Sequence, residues 1–127
     1  MAVKVVDASA LAAVVFDEPG ADRVDRQLAG VDLAAPALLP FEMTNICRTK
    51  LRQFPDQRDL LLDQFVIGAR ISVATVEVDH EETLALAEQF GLTTYDASYL
   101  WLARELNAEL VTLDRQLARA IASLAQA

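Results

Sequence analysis

The alternation of short β-branched runs with helical apolar patterns constrains the fold most. The run AVKVVD (2–7) precedes the helical pattern ASALAAVVF (8–16), and AELVTL (108–113) precedes RQLARAIASLA (115–125). Strands that alternate with helices along a chain predict an α/β fold: a three-layer α/β/α arrangement around a mainly parallel sheet. The length of 127 residues and the apolar content of 54% suit one such unit, so we expect a single domain over 1–127.

Capping and helix-breaking residues divide the middle of the chain into further elements. Asp56, Asp79 and Asp96 each stand where a helix could begin, and Gly91 stands where one could end. The predicted elements are a helix over 21–30, an extended segment over 31–36, a helix from between Pro36 and Pro40 to about Phe54, a helix over 56–69, a strand over 70–78, a helix over 79–91 and a helix over 97–106.

Composition excludes several classes of protein. The net charge of −8 argues against loose, charge-driven binding to nucleic acid, although a local basic strip or a bound metal would change that balance. Cys47 is the only cysteine and is expected to be buried, so no internal disulfide can form. With no apolar run of membrane length and no signal-peptide pattern, we expect a cytoplasmic protein.

Four acidic residues are predicted to meet at one edge of the sheet. Asp7 and Asp114 follow the first and last strands, Asp96 opens a helix, and Glu42 lies in the first turns of the helix after the second strand. Two carboxylates about 5 Å apart repel by roughly 3 kcal/mol at an effective dielectric constant near 20. Such a group therefore favours a bound Mg²⁺ or Mn²⁺, and metal-assisted attack of water on a phosphodiester is the chemistry that fits.

Each acid also has a purely structural interpretation. Asp7, Asp96 and Asp114 could be helix N-caps, a role worth about 1 kcal/mol. Glu42 could be an exposed glutamate that interacts with its helix dipole, although its neighbours Phe41 and Met43 are apolar. Capping and metal binding are compatible, because one carboxylate oxygen can cap a helix while the other faces the cleft.

Four segments of the chain resemble the PIN-domain ribonucleases, and most closely the VapC-type toxins of bacterial toxin–antitoxin pairs. The third segment is the most specific, because Tyr-Asp-Ala, a helix with Leu-Ala and a strand ending in Thr-x-Asp occur in order. The segments are VVDASAL (5–11), PALLPFEMTNIC (36–47), TTYDASYLWLARELNAELVT (93–112) and LDRQLA (113–118).

The resemblance implies an endoribonuclease that uses Mg²⁺ or Mn²⁺ and cleaves single-stranded or looped RNA. It also implies a homodimer, for which we expect an interface on the apolar helices near 38–67, and a small antitoxin that places an Arg or Lys among the carboxylates. The residues that match the acidic quartet are Asp7, Glu42, Asp96 and Asp114, and those that match neighbouring small hydroxyl positions are Ser9 and Thr112.

Two alternatives remain open at the level of sequence. One is a phosphotransfer or phosphatase domain in which Asp7 is phosphorylated, and the other is a catalytically silent PIN-like binding module. A single histidine, His80, excludes a His-based metal site or a Ser-His-Asp triad, and no glycine-rich phosphate loop is present. Contact with RNA is left open among six basic residues: Lys4, Arg48, Lys50, Arg52, Arg104 and Arg115.

Overall fold

The computed structural model describes residues 2–126, so the two terminal residues of the predicted domain lie outside it. At its centre lies a four-stranded sheet in the order β3-β2-β1-β4, in which every neighbouring pair is parallel. The strands are β1 (Val3–Val6), β2 (Asp32–Pro36), β3 (Ala74–Val76) and β4 (Glu109–Val111).

Both faces of the sheet are covered. Val5 and Val6 point to opposite faces of β1, and both are 0% exposed. The register pairs Val5 with Ala34 of β2 and with Leu110 of β4, so the apolar core continues across the sheet. Layers of helices on both sides of a parallel sheet are the predicted α/β/α fold, which is confirmed.

The helices form two groups that pack among themselves. In the first group, α1 contacts α2, α3 and α4; in the second, α6 contacts α5, α7 and the sheet. No helix among residues 2–126 combines the length and apolar composition needed to cross a bilayer. The helices are α1 (Ala8–Val15), α2 (Ala21–Leu28), α3 (Leu39–Gln53), α4 (Arg58–Gly68), α5 (His80–Phe90), α6 (Thr94–Leu106) and α7 (Arg115–Ala125).

Three predicted boundaries are wrong. The strand expected over 70–78 is only Ala74–Val76, because β3 lies at the sheet edge and pairs with β2 alone. Asp56 does not cap α4: Pro55–Gln57 form a 3-10 turn, and Gln57 precedes the helix without a capping side chain. The helix expected over 97–106 begins three residues earlier, at Thr94.

Gly68 allows α4 to approach α1 closely. A Cβ atom at this position would lie 2.7 Å from both Cγ atoms of Val15, which is closer than side-chain atoms normally come. The first group of helices therefore depends on a small residue at the end of α4.

Candidate active site

The carboxyl edge of the sheet brings together the ends of three strands. Asp7 directly follows β1, and Asp114 lies three residues beyond β4, which pairs with β1. Glu42 lies in the first turn of α3, the helix after β2, and Asp96 lies in the first turn of α6. Parallel strands place these positions at the same edge, as the sequence predicted.

Asp7 is buried, and both of its carboxylate oxygens accept hydrogen bonds. The residue is only 5% exposed. Its Oδ1 accepts hydrogen bonds from the backbone N–H of Ala10 at 3.0 Å and from the Ser9 hydroxyl at 2.8 Å. Its Oδ2 accepts a hydrogen bond of 2.5 Å from the Thr112 hydroxyl. Asp7 is thus both the N-cap of α1, as predicted, and the centre of a polar network.

Ser9 and Thr112 join the end of β1 to the segment after β4. The Ser9 Oγ accepts a hydrogen bond of 3.0 Å from the backbone N–H of Leu113. The Thr112 Oγ1 likewise accepts a 3.0 Å bond from the backbone N–H of Asp114. Since both hydroxyls donate to Asp7, the two predicted supporting residues fix the position of Asp7 relative to Asp114.

Asp114 caps α7 with one carboxylate oxygen. Its Oδ1 accepts a hydrogen bond of 3.0 Å from the backbone N–H of Leu117, and its backbone is extended, as an N-cap requires. The side chain is half-buried. A cap uses one of the two oxygens, so the capping role that the sequence predicts leaves the second oxygen available for a ligand.

Asp96 does not cap α6, so the prediction of an N-cap at this position is wrong. The N-cap is Thr93, whose Oγ1 accepts a hydrogen bond of 3.1 Å from the backbone N–H of Asp96. The signal was present in the sequence, because Thr93-x-x-Asp96 has the spacing of a capping box. The two Asp-Ala-Ser triplets thus differ: Asp7 begins its helix, whereas Asp96 is held inside the first turn of another.

Tyr99 is a site residue that the sequence interpretation missed. Its hydroxyl donates a hydrogen bond of 2.5 Å to Oε1 of Glu42 and thereby connects α6 to α3. The residue is 1% exposed, so the hydroxyl is aimed at Glu42 from inside the core. Its position three residues after Asp96, on the same side of α6, was the available clue.

Burial and mutual repulsion perturb the carboxylates. Burial raises the pKa of Asp7, and the charge of Asp114 raises it further, against the lowering effect of hydrogen bonds from Thr112, Ala10 and Ser9. Burial also raises the pKa of Asp96, as does the neighbouring Asp114 carboxylate. These carboxyl groups therefore take up protons more readily than exposed ones.

The carboxylate of Glu42 interacts electrostatically with those of Asp96 and Asp7. Burial raises the pKa of Glu42, and the charges of Asp96 and Asp7 act in the same direction, whereas the hydrogen bond from Tyr99 lowers it. The pKa of Tyr99 is itself raised strongly by burial and by its bond to Glu42, so the phenol stays protonated and remains a donor. Each of the four predicted carboxylates thus acts electrostatically on at least one of the others.

The four carboxylates suit Mg²⁺ or Mn²⁺ better than an ion such as Ca²⁺, which needs many oxygen ligands. Within residues 2–126, no three Asp, Glu, His or Cys side chains form a ready-made direct chelate. Ca²⁺ requires six to eight oxygen ligands, whereas Mg²⁺ uses one or two carboxylates and keeps several water molecules. A site of one or two of these carboxylates with water ligands is therefore the arrangement that the residues could supply.

Three of the six basic residues considered for RNA contact are ion-paired, and four of the six are exposed. Lys4, Lys50 and Arg104 form ion pairs with Glu109, Glu18 and Glu82 at 3.3, 2.7 and 3.1 Å. The exposed members of the set are Arg48, Arg52, Arg104 and Arg115. Of these four, Arg115 adjoins a site carboxylate, because it follows Asp114 at the start of α7.

Comparisons with known proteins agree with this geometry. The family described as PIN domain matches residues 4–122, a range that includes all six predicted site residues. Ribonuclease VapC3 from Pyrobaculum aerophilum is 32% identical over 126 residues, which cover 94% of this chain and 95% of the relative. The crystal structure of PAE2754 from Pyrobaculum aerophilum matches with a TM-score of 0.75 and 25% identity, over 97% of this chain and 92% of that one.

Proposed function

This chain belongs to the PIN-domain family, and we propose that it is a metal-dependent endoribonuclease, the toxin of a toxin–antitoxin pair. The observation that carries the proposal is the placement of Asp7, Glu42, Asp96 and Asp114 beyond the carboxyl ends of the strands, where Ser9, Thr112 and Tyr99 donate hydrogen bonds to Asp7 and Glu42. Carboxylates kept together against their repulsion indicate a cation that offsets it. RNA as the substrate is supported by the relative named Ribonuclease VapC3.

The proposed site holds Mg²⁺ or Mn²⁺ among these four carboxylates. A bound divalent ion would activate water and stabilise the negative charge on the leaving oxygen of a phosphodiester. The protein's own contribution is preorganisation. Ser9 and Thr112 fix both oxygens of Asp7, and Tyr99 orients Glu42.

Asp96 and Asp114 complete the proposed site from two helix N-termini. Both lie in or at the first turn of a helix, where backbone N–H groups favour negative charge. The Asp114 carboxylate is held by its capping hydrogen bond to Leu117, and the backbone of Asp96 is held by its hydrogen bond to Thr93. We expect the site to be largely formed before RNA binds.

The proposed partners are an antitoxin and a second copy of this chain. A cluster of carboxylates suits a cationic Arg or Lys side chain from an antitoxin, which would occupy the place of the metal. The proposed dimer would use α3 and α4, where Phe54, Leu60, Val66 and Ile67 are exposed. Exposed apolar side chains on adjacent helices support such an interface.

Cleavage of a panel of structured RNAs by the purified protein tests the proposed reaction. Reactions with Mg²⁺ or Mn²⁺ are compared with reactions in EDTA. The central variant is Asp96→Asn, because Asp96 is not a cap and the amide preserves its shape. The matched control is Asp25→Asn, which makes the same chemical change on the exposed surface of α2. We expect metal-dependent cutting that falls at least 100-fold in Asp96→Asn and is unchanged in Asp25→Asn.

Two other outcomes would assign a different role. Cutting that persists in EDTA would refute metal dependence. Absence of cutting, together with no heat of Mg²⁺ or Mn²⁺ binding by calorimetry, would leave the catalytically silent binding module as the function. Thermal melts of both variants establish that each is folded before its activity is compared.

A further inference from the structure

A small apolar cleft opens at the carboxyl ends of β2 and β3, beside the carboxylates. Its volume is about 260 Å³. That is slightly less than the volume of pockets that hold drug-sized ligands, so it suits a smaller planar group. We call it the Phe41 cleft; its lining includes Pro36, Leu38, Phe41, Glu77, Val78 and His80.

Phe41 is unusually exposed for an aromatic side chain. Its exposed fraction of 79% is the largest among the big apolar side chains that the structure describes, and the next is Tyr95 at 64%. Isolated exposed apolar residues are common on protein surfaces and need no explanation. Phe41 differs because its ring lines a concave site, where one face can meet a ligand.

The cleft lies next to the proposed active site. Phe41 precedes Glu42 in the first turn of α3, so their Cα atoms are about 3.8 Å apart. Leu38 of the cleft is the N-cap of the same helix, and Val78 follows β3. A strand of RNA that brings a phosphate to Glu42 therefore has a neighbouring nucleotide within reach of Phe41.

We propose that the Phe41 cleft binds one unpaired base of the RNA substrate, with the base stacked on the Phe41 ring. This proposal rests on the proposed ribonuclease function. Proteins that recognise single-stranded RNA commonly splay bases out and stack them on aromatic side chains. Phe41 would act as a positioning residue that sets which phosphate reaches the carboxylates.

The polar rim of the cleft predicts a base preference. Glu77 and His80 line the cleft together with Phe41, and both are exposed. A carboxylate accepts hydrogen bonds and donates none, so Glu77 favours a base with an exocyclic amino group. Adenine, cytosine and guanine carry such a group, whereas uracil offers a carboxylate only its ring N3–H, which lies between two carbonyl oxygens. We expect cleavage to be slowest when uracil occupies this position.

A nucleobase fits the cleft better than an apolar protein segment does. The floor is apolar, but a carboxylate and an imidazole stand at the rim and would lose water under a hydrophobic side chain. A base offers both an aromatic face for Phe41 and polar edges for the rim. Phe41 also directly precedes Glu42 in α3, so the cleft and the proposed site share that helix turn.

Steady-state cleavage of short single-stranded RNAs by the full chain with Mg²⁺ tests this proposal. Phe41→Ala removes the stacking face, and Phe41→Trp restores one. The matched control is Leu106→Ala, which shortens an exposed apolar side chain at the C-terminal end of α6, outside the Phe41 cleft and the proposed dimer surface. Glu77→Gln tests base preference, with substrates that differ in one base beside the cut.

We expect Phe41→Ala to raise KM by about 5- to 100-fold, the range of one base–aromatic stack, with a smaller effect on kcat. Phe41→Trp should keep KM near the wild-type value, Leu106→Ala should leave it unchanged, and Glu77→Gln should reduce discrimination against uracil. Normal KM in Phe41→Ala, with the wild-type protein active, would overturn the stacking proposal alone. If Phe41→Ala keeps a normal KM but no longer elutes as a dimer from a sizing column, Phe41 belongs to a contact between protein chains instead. An inactive wild-type protein would refute both this proposal and the ribonuclease function.

Discussion

Removal of the Tyr99 hydroxyl by Tyr99→Phe is the sharpest perturbation of the site that keeps the core packed. Tyr99 is 1% exposed, and its hydroxyl donates a 2.5 Å hydrogen bond to Glu42. Hydrogen bonds to charged groups contribute about 1.5–3 kcal/mol. Because Glu42 is half-buried and can recover some water, we expect the variant to lose about 1–2 kcal/mol of unfolding free energy at neutral pH.

The same change should alter the pH dependence of activity. The Tyr99 hydrogen bond lowers the pKa of Glu42, against the opposing effects of burial and of Asp96 and Asp7. Without it, Glu42 takes up a proton at higher pH. If the proposed site needs Glu42 ionised, the acid limb of kcat/KM moves to higher pH in Tyr99→Phe, and activity at neutral pH falls by about tenfold, or 1.4 kcal/mol.

Tyr95→Phe is the matched control, because it removes a hydroxyl from a 64% exposed tyrosine of the same helix. Chemical denaturation measures stability, and cleavage rates from pH 5 to pH 9 measure the acid limb. An unchanged acid limb together with lost stability would make Tyr99 a packing residue only. Equal effects of the two variants would show that the bond to Glu42 carries no particular role.

Three further predictions concern stability. Because the pKa values of Asp7, Glu42 and Asp96 are raised, the metal-free folded state binds protons more tightly than the unfolded chain does. The stability that these protonated groups contribute is complete below about pH 4 and is lost as the pH rises through their folded-state pKa values. Denaturant titrations from pH 4 to pH 8 should therefore show Asp96→Asn gaining stability relative to wild type as pH rises; a constant difference would contradict this. Mg²⁺ at 100 times its Kd should stabilise the protein by about 2.7 kcal/mol at pH 7.5 and by much less at pH 4.5. Thermal melts measure this difference, and equal shifts of the melting temperature at both pH values would exclude the carboxylates as the Mg²⁺ site. Thr93→Ala should cost about 1 kcal/mol, whereas Thr93→Ser should retain the cap, and equal stability of the two would refute Thr93 as the N-cap of α6.

The strand ends were readable from the sequence because parallel topology leaves little freedom. Asp7 and Asp114 each follow a β-branched run and precede a helical pattern, so their placement at one edge of the sheet needed no knowledge of side-chain packing. Their capping role could be predicted for the same reason, since Asp between a strand and a helix commonly caps. Here local sequence and topology point to the same positions.

The parts that could not be predicted depend on tertiary contacts. Every residue from Ala97 to Ala103 in α6 is buried, so the helix has no polar face that would single out Tyr99 as a partner of Glu42. The N-cap of α6 could not be predicted because Thr93 and Asp96 are both good capping residues and lie only three positions apart. The length of β3 was overestimated because alternation along 70–78 continues beyond the residues that find a partner strand.

The position of β1 between β2 and β4 determines when the site can form during synthesis. The hydroxyl that binds Oδ2 of Asp7 belongs to Thr112, which is made 105 residues after it. At about 5–20 residues per second, a ribosome needs roughly 5–20 s to cover that distance. An unfinished chain that ends before β4 lacks Thr112 and Asp114 as well as the strand that holds them beside Asp7. Because the proposed site includes Thr112 and Asp114, a nascent chain cannot assemble that site until β4 and the residues after it have been made.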